Sequence, residues 1–251
     1  MKWEGTGLTD RGKVRASKQD AFAINNPLQL WVVADGMGGR PGGDIASQIA
    51  VNTIMTSIQE SMADTQGEPA HQQAILEIAM KSANTAIREE VQRRPKLAGM
   101  GTTAVLLWIS SSPPSQATIV HIGDSRAYLL QQDTITQLST DHSWVIEQIQ
   151  QGLLSPEEAS IHPMQNAITR ALGIEPTSAP DIRTLALQPT DRVLLCTDGL
   201  TKMMSDQQIF NRTSSSQRSR EDYCQELITE ANRLGGQDNT TVIIVGQNGQ
   251  P

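Results

Sequence analysis

The sequence predicts an α+β fold with mainly antiparallel sheets, and three observations carry that expectation. Short β-favouring runs follow one another across tight turns from Gly101 to Leu138, and strand-like runs return at Ile182–Leu187 and Arg192–Cys196. Helical periodicity is confined to separate blocks, the pattern of antiparallel sheets with segregated helices. No internal repeat, low-complexity tract or long linker interrupts the 251 residues, so residues 1–251 are expected to form one domain.

Taken in order, the opening segment Gly5 to Ala23 is polar, with R-A-S-K-Q-D (Arg15 to Asp20) between two short strand candidates. The apolar run Leu30 to Ala34 then stops at Asp35 and enters a glycine-rich loop (Gly36, Gly38, Gly39, Gly42, Gly43) whose backbone can approach a ligand or metal closely. Ile45, Ile49, Ala50, Ile54 and Ile58 recur at helical spacing. After Gly67-Glu68-Pro69, a second helix carries Ile75, Ile78, Ala79, Ala83, Ile87 and Val91 on one face and is closed by Pro95. Strands come next at Gly101 to Ile109, Ala117 to Ile122, Ala127 to Leu130 and Ile135 to Leu138, with G-D-S-R (Gly123 to Arg126) predicted as a hairpin turn.

A helical insert succeeds them. It comprises Ser143 to Gln151, a capping-box start at Ser155-Pro156-Glu157-Glu158, and a helix from Asn166 to Leu172 ended by Gly173. Beyond the two returning strands, a Ser-rich stretch from Thr213 to Ser219 leads into a helix ended by Gly235-Gly236. Gln237-Asp238-Asn239 introduces a last strand, Thr240 to Val245.

Composition narrows the function classes. Aromatic residues are 3% of the chain, so the core must be built from Val, Ile, Leu, Ala and Met. A net charge of −7 argues against binding to nucleic acid or anionic membranes. Two cysteines, Cys196 and Cys224, are too few for a disulfide framework and lack metal-ligand spacing. Met1 to Lys13 has no apolar segment of the secretory type, and the longest apolar run, Ala104 to Ile109, is far short of a membrane span. A cytoplasmic location is the expectation.

The acids carry the chemistry. Asp35 and Asp198 each end an apolar strand and precede glycine, Asp124 sits in a turn between strands, and Asp238 lies just before one. Any one of these is an ordinary turn signal. Four aspartates at strand ends can nevertheless converge on one rim, where each raises the pKa of the others unless cations compensate. An all-oxygen donor set suits Mg²⁺ or Mn²⁺ rather than zinc. A pair of such ions acidifies a shared water and polarises a phosphoryl group. His121, His142 and His162 are expected to be structural or to support the site from behind rather than to be ligands, His71 solvent-facing and Cys196 a buried strand thiol.

The ordered set resembles the PPM family, the metal-dependent PP2C-type protein Ser/Thr phosphatases. The stretches that carry it are R-A-S-K-Q-D-A (Arg15 to Ala21), V-A-D-G-M-G-G (Val33 to Gly39), G-G-D-I-A-S (Gly42 to Ser47) and M-G-T-T-A (Met100 to Ala104). They continue with H-I-G-D-S-R (His121 to Arg126), D-H-S (Asp141 to Ser143), His162-Pro163 and T-R-A-L-G (Thr169 to Gly173). L-L-C-T-D-G-L (Leu194 to Leu200) and G-G-Q-D-N-T-T-V (Gly235 to Val242) complete the set. The resemblance implies two antiparallel sheets sandwiched between helices, with residues 143–173 as a flap beside the active site. It further implies that Asp35 bridges two metals, with the Gly36 carbonyl on one and Asp198 and Asp238 on the other. Asp124 with Asp198 would hold a third, weaker ion. Asp20 would orient the attacking water and Arg15 would bind the substrate phosphate.

The implied enzyme is a protein-serine/threonine phosphatase, a phosphoric monoester hydrolase in which a metal-bridging hydroxide attacks phosphorus directly. It is expected to be a monomer that serves a cognate Ser/Thr kinase pathway and acts on phosphorylated proteins, without nucleic-acid or membrane partners. Two departures from the family pattern matter. Lys18 stands where asparagine is usual, and it either adds a cation near the phosphate or points outward, the second being favoured. Met37 and Arg40 stand where some members carry a histidine proposed as general acid. Arginine is no proton donor at neutral pH, so a metal-bound water is the substitute candidate. The alternative function is a catalytically impaired member that binds phosphoproteins as a regulator; a third possibility is a small phosphomonoester substrate.

Overall fold

A computed structural model describes residues 2–37, 41–65, 72–110, 115–174, 179–214 and 218–247. The chain opens with strands β1 (Trp3–Asp10), β2 (Asp20–Asn25) and β3 (Leu30–Asp35), succeeded by helices α1 (Gly43–Thr65) and α2 (Gln72–Arg93). Strands β4 (Ala104–Ile109), β5 (Gln116–Ile122), β6 (Arg126–Leu130) and β7 (Ile135–Gln137) come next, then the short helices α3 (Trp144–Gln150) and α4 (Pro156–Ser160). Strands β8 (Asp181–Ala186) and β9 (Arg192–Cys196), helices α5 (Asp198–Thr201), α6 (Asp206–Thr213) and α7 (Arg220–Arg233), and strand β10 (Thr240–Gln247) complete the described strands and α-helices.

Every pairing is antiparallel, and the strands form two five-stranded sheets, β1-β10-β9-β6-β7 and β2-β3-β4-β5-β8. The central strands β3, β4 and β9 are almost entirely apolar because both of their faces are covered. On β3, Trp31 and Val33 enter the layer between the sheets, while Leu30, Val32 and Ala34 pack under α1 and α2. On β9, Val193 and Leu195 face the inter-sheet layer and Leu194 and Cys196 face α6 and α7. Three apolar layers therefore stack helix, sheet, sheet, helix, as the resemblance implied.

Helix α2 buries Ile75, Ala79, Ala83 and Ile87 as expected, but Ile78 is 54% exposed, and Leu76 and Met80 take its place. At 100° per residue, position 78 points away from the stripe that 75, 79 and 83 define. The capping box at Ser155 is present, with Glu158 N–H donating to Ser155 Oγ and Ser155 N–H to Glu158 Oε2.

Two local expectations are corrected. Gly123 to Arg126 is no hairpin turn: β5 belongs to one sheet and β6 to the other, so this segment carries the chain between layers. Residues 166–172 are not helical. Their backbone bonds go outward instead: Trp144 N–H to the Ala167 carbonyl, Thr169 N–H to that of His142, and a reciprocal pair between Leu172 and Thr102. The expected interruption at residues 67–69 and the solvent-facing His71 lie outside the described residues.

Candidate active site

The acids meet at one end of the sandwich because register and connectivity bring them there. Asp20 and Asp35 are directly opposed in the β2–β3 ladder. Asp198 comes just after β9 and Asp238 just before β10, and these two strands pair with Val242 opposite Cys196. Arg126 also lies opposite Cys196, which sets the Asp124 turn beside the end of β9. Each sheet thus contributes to the same rim.

Two glycines let the segments close up. A methyl group at Gly36 would collide with the Gly43 carbonyl at the start of α1, and one at Gly199 with the Asn239 carbonyl before β10. The Asp-Gly pairs are therefore sites of backbone contact as well as strand ends. Met37 N–H donates to the Gly101 carbonyl and Gly36 N–H to that of Gln19, which anchors the far side.

Asp20 is held rigidly. Its Oδ2 accepts hydrogen bonds from Thr197 Oγ1 (2.9 Å) and Thr241 Oγ1 (2.7 Å), while Thr241 N–H donates to Thr197 Oγ1 at 2.9 Å. Neither threonine was a sequence-level candidate; the signal available was a hydroxyl residue at the end of each of two strands that point at Asp198 and Asp238. Asn239 ties the first motif in place, accepting from Gln19 N–H through Oδ1 and donating to the carbonyls of Arg11 and Ser17.

The electrostatics are those of carboxylates short of compensation. Burial, opposed in part by the two threonine bonds, pushes the Asp20 carboxyl up to about 7. Burial and the neighbouring Asp198 push Asp124 up to about 7, against the opposing pull of Lys202. Burial and four acids, Asp20, Asp198, Asp124 and Asp238, drive Asp35 well above the usual carboxylate range. One oxygen each of Asp20, Asp124 and Asp198 is buried without a hydrogen-bond partner. Buried acceptors left this way are costly unless a cation takes them, so the donor set fits hard divalent ions bound through oxygen.

A cleft of about 440 Å³ opens over these groups, lined by Arg15, Asp35, Met37, Asp198, Lys202 and Asp238 among others. Arg15 donates from Nη2 to Asp238 Oδ2 at 2.6 Å, which places the guanidinium at the mouth. Asn166 and Ile168 from the insert also line the cleft. Lys18 is exposed, in keeping with the outward reading, and Arg40 lies outside the described residues. Lys202, which no sequence motif singled out, forms an ion pair with Asp198 Oδ2 and stands 4.0 Å from Asp238 Oδ2.

His121 and His142 are buried and stacked behind the Asp124 turn, with Asp181 close by. That grouping could hold a metal by residue type, but its nitrogens already serve the protein. Gly123 N–H donates to His142 Nδ1 at 3.1 Å, so His142 carries its proton on Nε2, 3.3 Å from Asp181 Oδ2. His121 Nε2 bonds the Thr140 carbonyl at 2.8 Å, and Arg170 adds a competing cation at Asp181. The pair braces the turn, the structural role expected of these histidines. Cys196 is buried, and burial pushes its thiol up to about 12, so it is no nucleophile.

Comparison with known proteins agrees with this geometry. The sequence profile described as Protein phosphatase 2C matches residues 9–231. The serine/threonine phosphatase stp of Listeria welshimeri is 38% identical over 243 residues, covering 96% of this chain and 94% of its own length. The crystal structure of Stp1 from Staphylococcus aureus superposes with a TM-score of 0.90 at 30% identity, covering 99% of this chain and 96% of the other. The catalytic domain of the phosphatase PstP, solved in complex with two manganese ions, superposes with a TM-score of 0.83 at 32% identity over 98% of each chain.

Proposed function

This chain belongs to the protein phosphatase 2C family, and from that premise we propose that its acidic cleft is the active site of a metal-dependent protein-serine/threonine phosphatase with Arg15, Asp20, Asp35, Gly36, Asp124, Asp198 and Asp238 as its working residues. Relatives named as phosphatases match over nearly the whole chain, which favours the hydrolase over the non-hydrolysing phosphoprotein binder. The observation that carries the assignment is the clustering of four further acids around Asp35 beside an open cleft lined by Asp35, Asp198 and Asp238, with one buried, unpartnered oxygen on each of Asp20, Asp124 and Asp198.

Asp35, the Gly36 carbonyl, Asp198 and Asp238 would hold two divalent ions, Mg²⁺ or Mn²⁺, and Asp124 with Asp198 a third. When bound, such ions neutralise the carboxylates, acidify water and polarise the phosphoryl group. The protein's own groups do the remaining work. Arg15 binds the phosphate oxygens once its guanidinium is shared with or released from Asp238. Asp20, locked by Thr197 and Thr241 beside the opposed Asp35, orients the attacking water and can hold a proton near neutral pH. Met37 lines the cleft and offers no proton to the leaving alkoxide. Asn166 and Ile168 put the 143–173 flap against the cleft, where it shapes access for a phosphorylated protein segment. No described helix is long and apolar enough to cross a membrane; a monomeric, cytoplasmic enzyme paired with a Ser/Thr kinase is the accompanying proposal.

The test is hydrolysis of p-nitrophenyl phosphate and of phosphoserine and phosphothreonine peptides with added Mn²⁺. Turnover that chelator abolishes and Asp198→Ala cuts by ~100-fold or more is expected, with peptides preferred over small phosphorylated metabolites. Turnover indifferent to chelator overturns the assignment.

A further inference from the structure

We propose that the basic loop from Arg11 to Lys18 recognises acidic residues flanking the phosphorylated residue of a protein substrate, with Arg11 and Lys13 as the cations that read them. The inference rests on the phosphatase reading of the cleft and deepens it, because it names the class of phosphoprotein this chain prefers.

Four of the chain's 20 Lys and Arg residues, Arg11, Lys13, Arg15 and Lys18, fall in one short stretch that holds no acid, in a chain of net charge −7. Arg15 stands at the cleft mouth on Asp238 Oδ2, so the stretch is continuous with the site. It is also fixed to the segment that carries Asp238. Lys13 N–H and Val14 N–H both donate to the Gly236 carbonyl, and Asn239 Nδ2 donates to the carbonyls of Arg11 and Ser17. Gly12 takes a φ of +76°, and a methyl group there would collide with the Asp238 carbonyl. The loop therefore presents its charges from a set position.

Arg11 Nη1 reaches the Ala16 carbonyl at 3.5 Å, which brings its guanidinium alongside the residue after Arg15. The Lys13 stem lies against Gly236, and its Cα is two residues from that of Arg15, at most about 7 Å away. An extended peptide whose phosphate meets Arg15 has its next one or two residues within reach of both side chains. Arg11, Lys13 and Lys18 are exposed, and no ion pair engages them among the described residues. Asp10 is held below the usual carboxylate range first by the Asn232 and Gly12 hydrogen bonds on its Oδ1 and only then by Arg11 and Lys18. Their charge is thus available to a partner, and it complements a carboxylate-rich segment. Exposed pairs contribute little singly, so the preference comes from two acting together.

The test is steady-state hydrolysis, at saturating Mn²⁺, of phosphothreonine peptides that differ only in flanking residues, Asp and Glu against Gln and Ala. Wild type should show kcat/KM about 5-fold higher for the acid-flanked peptide, the difference lying in KM and shrinking at high salt. Arg11→Gln with Lys13→Gln should erase that ratio while p-nitrophenyl phosphate turnover stays at the wild-type level, which also shows the variant folded. Arg11→Lys with Lys13→Arg, which keeps both charges, should retain the ratio. Lys81→Gln, which removes an exposed cation on α2, should leave it unchanged. Equal wild-type kcat/KM for the two peptides overturns the inference, as does a preference that survives Arg11→Gln with Lys13→Gln. A parallel fall of p-nitrophenyl phosphate turnover in that variant overturns the recognition role as well. Any of these with Mn²⁺-dependent hydrolysis intact in wild type leaves the phosphatase reading standing. Absence of Mn²⁺-dependent hydrolysis of every substrate overturns both.

Discussion

Asp35-Gly36 and Asp198-Gly199 are the same local device used twice, once in each sheet. Each ends a buried strand, and each glycine lets a neighbouring carbonyl, that of Gly43 or Asn239, approach where a side chain would block it. The surroundings of the two acids differ. After Asp198 the chain turns into α5 and returns Lys202 to the carboxylate, whereas Asp35 is surrounded by acids, with Asp20 directly across the ladder. Identical backbone logic therefore serves two electrostatic situations, one supplied with a protein cation and one reliant on bound cations. The strand end places the charge; the next turn of chain decides how it is balanced.

The sharpest test of that contrast is removal of each acid. Asp35→Ala should reduce Mn²⁺-dependent p-nitrophenyl phosphate hydrolysis by ~1000-fold or more. Asp198→Ala should cost somewhat less, ~100-fold or more, on the scale of losing one electrostatic element of a preorganised site. Equal residual rates would break the comparison. The glycines should behave alike where the acids differ: Gly36→Ala and Gly199→Ala should each destabilise by roughly 1–3 kcal/mol through overpacking against backbone, read as a fall in thermal midpoint of several degrees.

A pH series tests the uncompensated side. Asp20 and Asp124, with folded values near 7, and Asp35, raised in the same direction, all lie above the ordinary carboxylate value of 3.8. Their protonated forms therefore favour the folded chain. That contribution is fully present below about pH 4 and is lost as pH rises through about 7. The metal-free protein should accordingly lose thermal stability as pH rises from about 4 to about 7. Asp124→Asn should flatten part of that slope, and saturating Mn²⁺ should reverse it. The smallest effect is predicted for Lys18→Ala, within about twofold of wild type in turnover, because Lys18 is exposed and outside both situations.

Much of the fold was legible locally. Apolar runs such as Arg192–Cys196 and helical stripes such as Ile75, Ala79, Ala83 and Ile87 show their period without reference to anything else. Gly123 to Arg126 misled because a turn between two strands looks the same whether the second strand joins the first or a different sheet. The 166–172 segment misled because its helical composition lost to tertiary hydrogen bonds from Thr102, His142 and Trp144. At the site, Asp35, Asp124, Asp198 and Asp238 were visible as acids at strand ends. The Thr197 and Thr241 hydroxyls that hold Asp20, and the Lys202 ammonium, were not, since their partners lie across strands or depend on a helix only one turn long.

The sequence alone determined the class of chemistry. Aspartates flanked by tight backbone, in a chain without clustered cysteine or histidine ligands along its sequence, can only assemble a hard, oxygen-based anionic centre. Only the tertiary structure decided that the acids share one rim, because that depends on β5 and β6 joining different sheets and on Asp20 facing Asp35 across a ladder. It likewise decided how each charge is met, since Coulomb energy depends on distances through space that sequence separation does not encode.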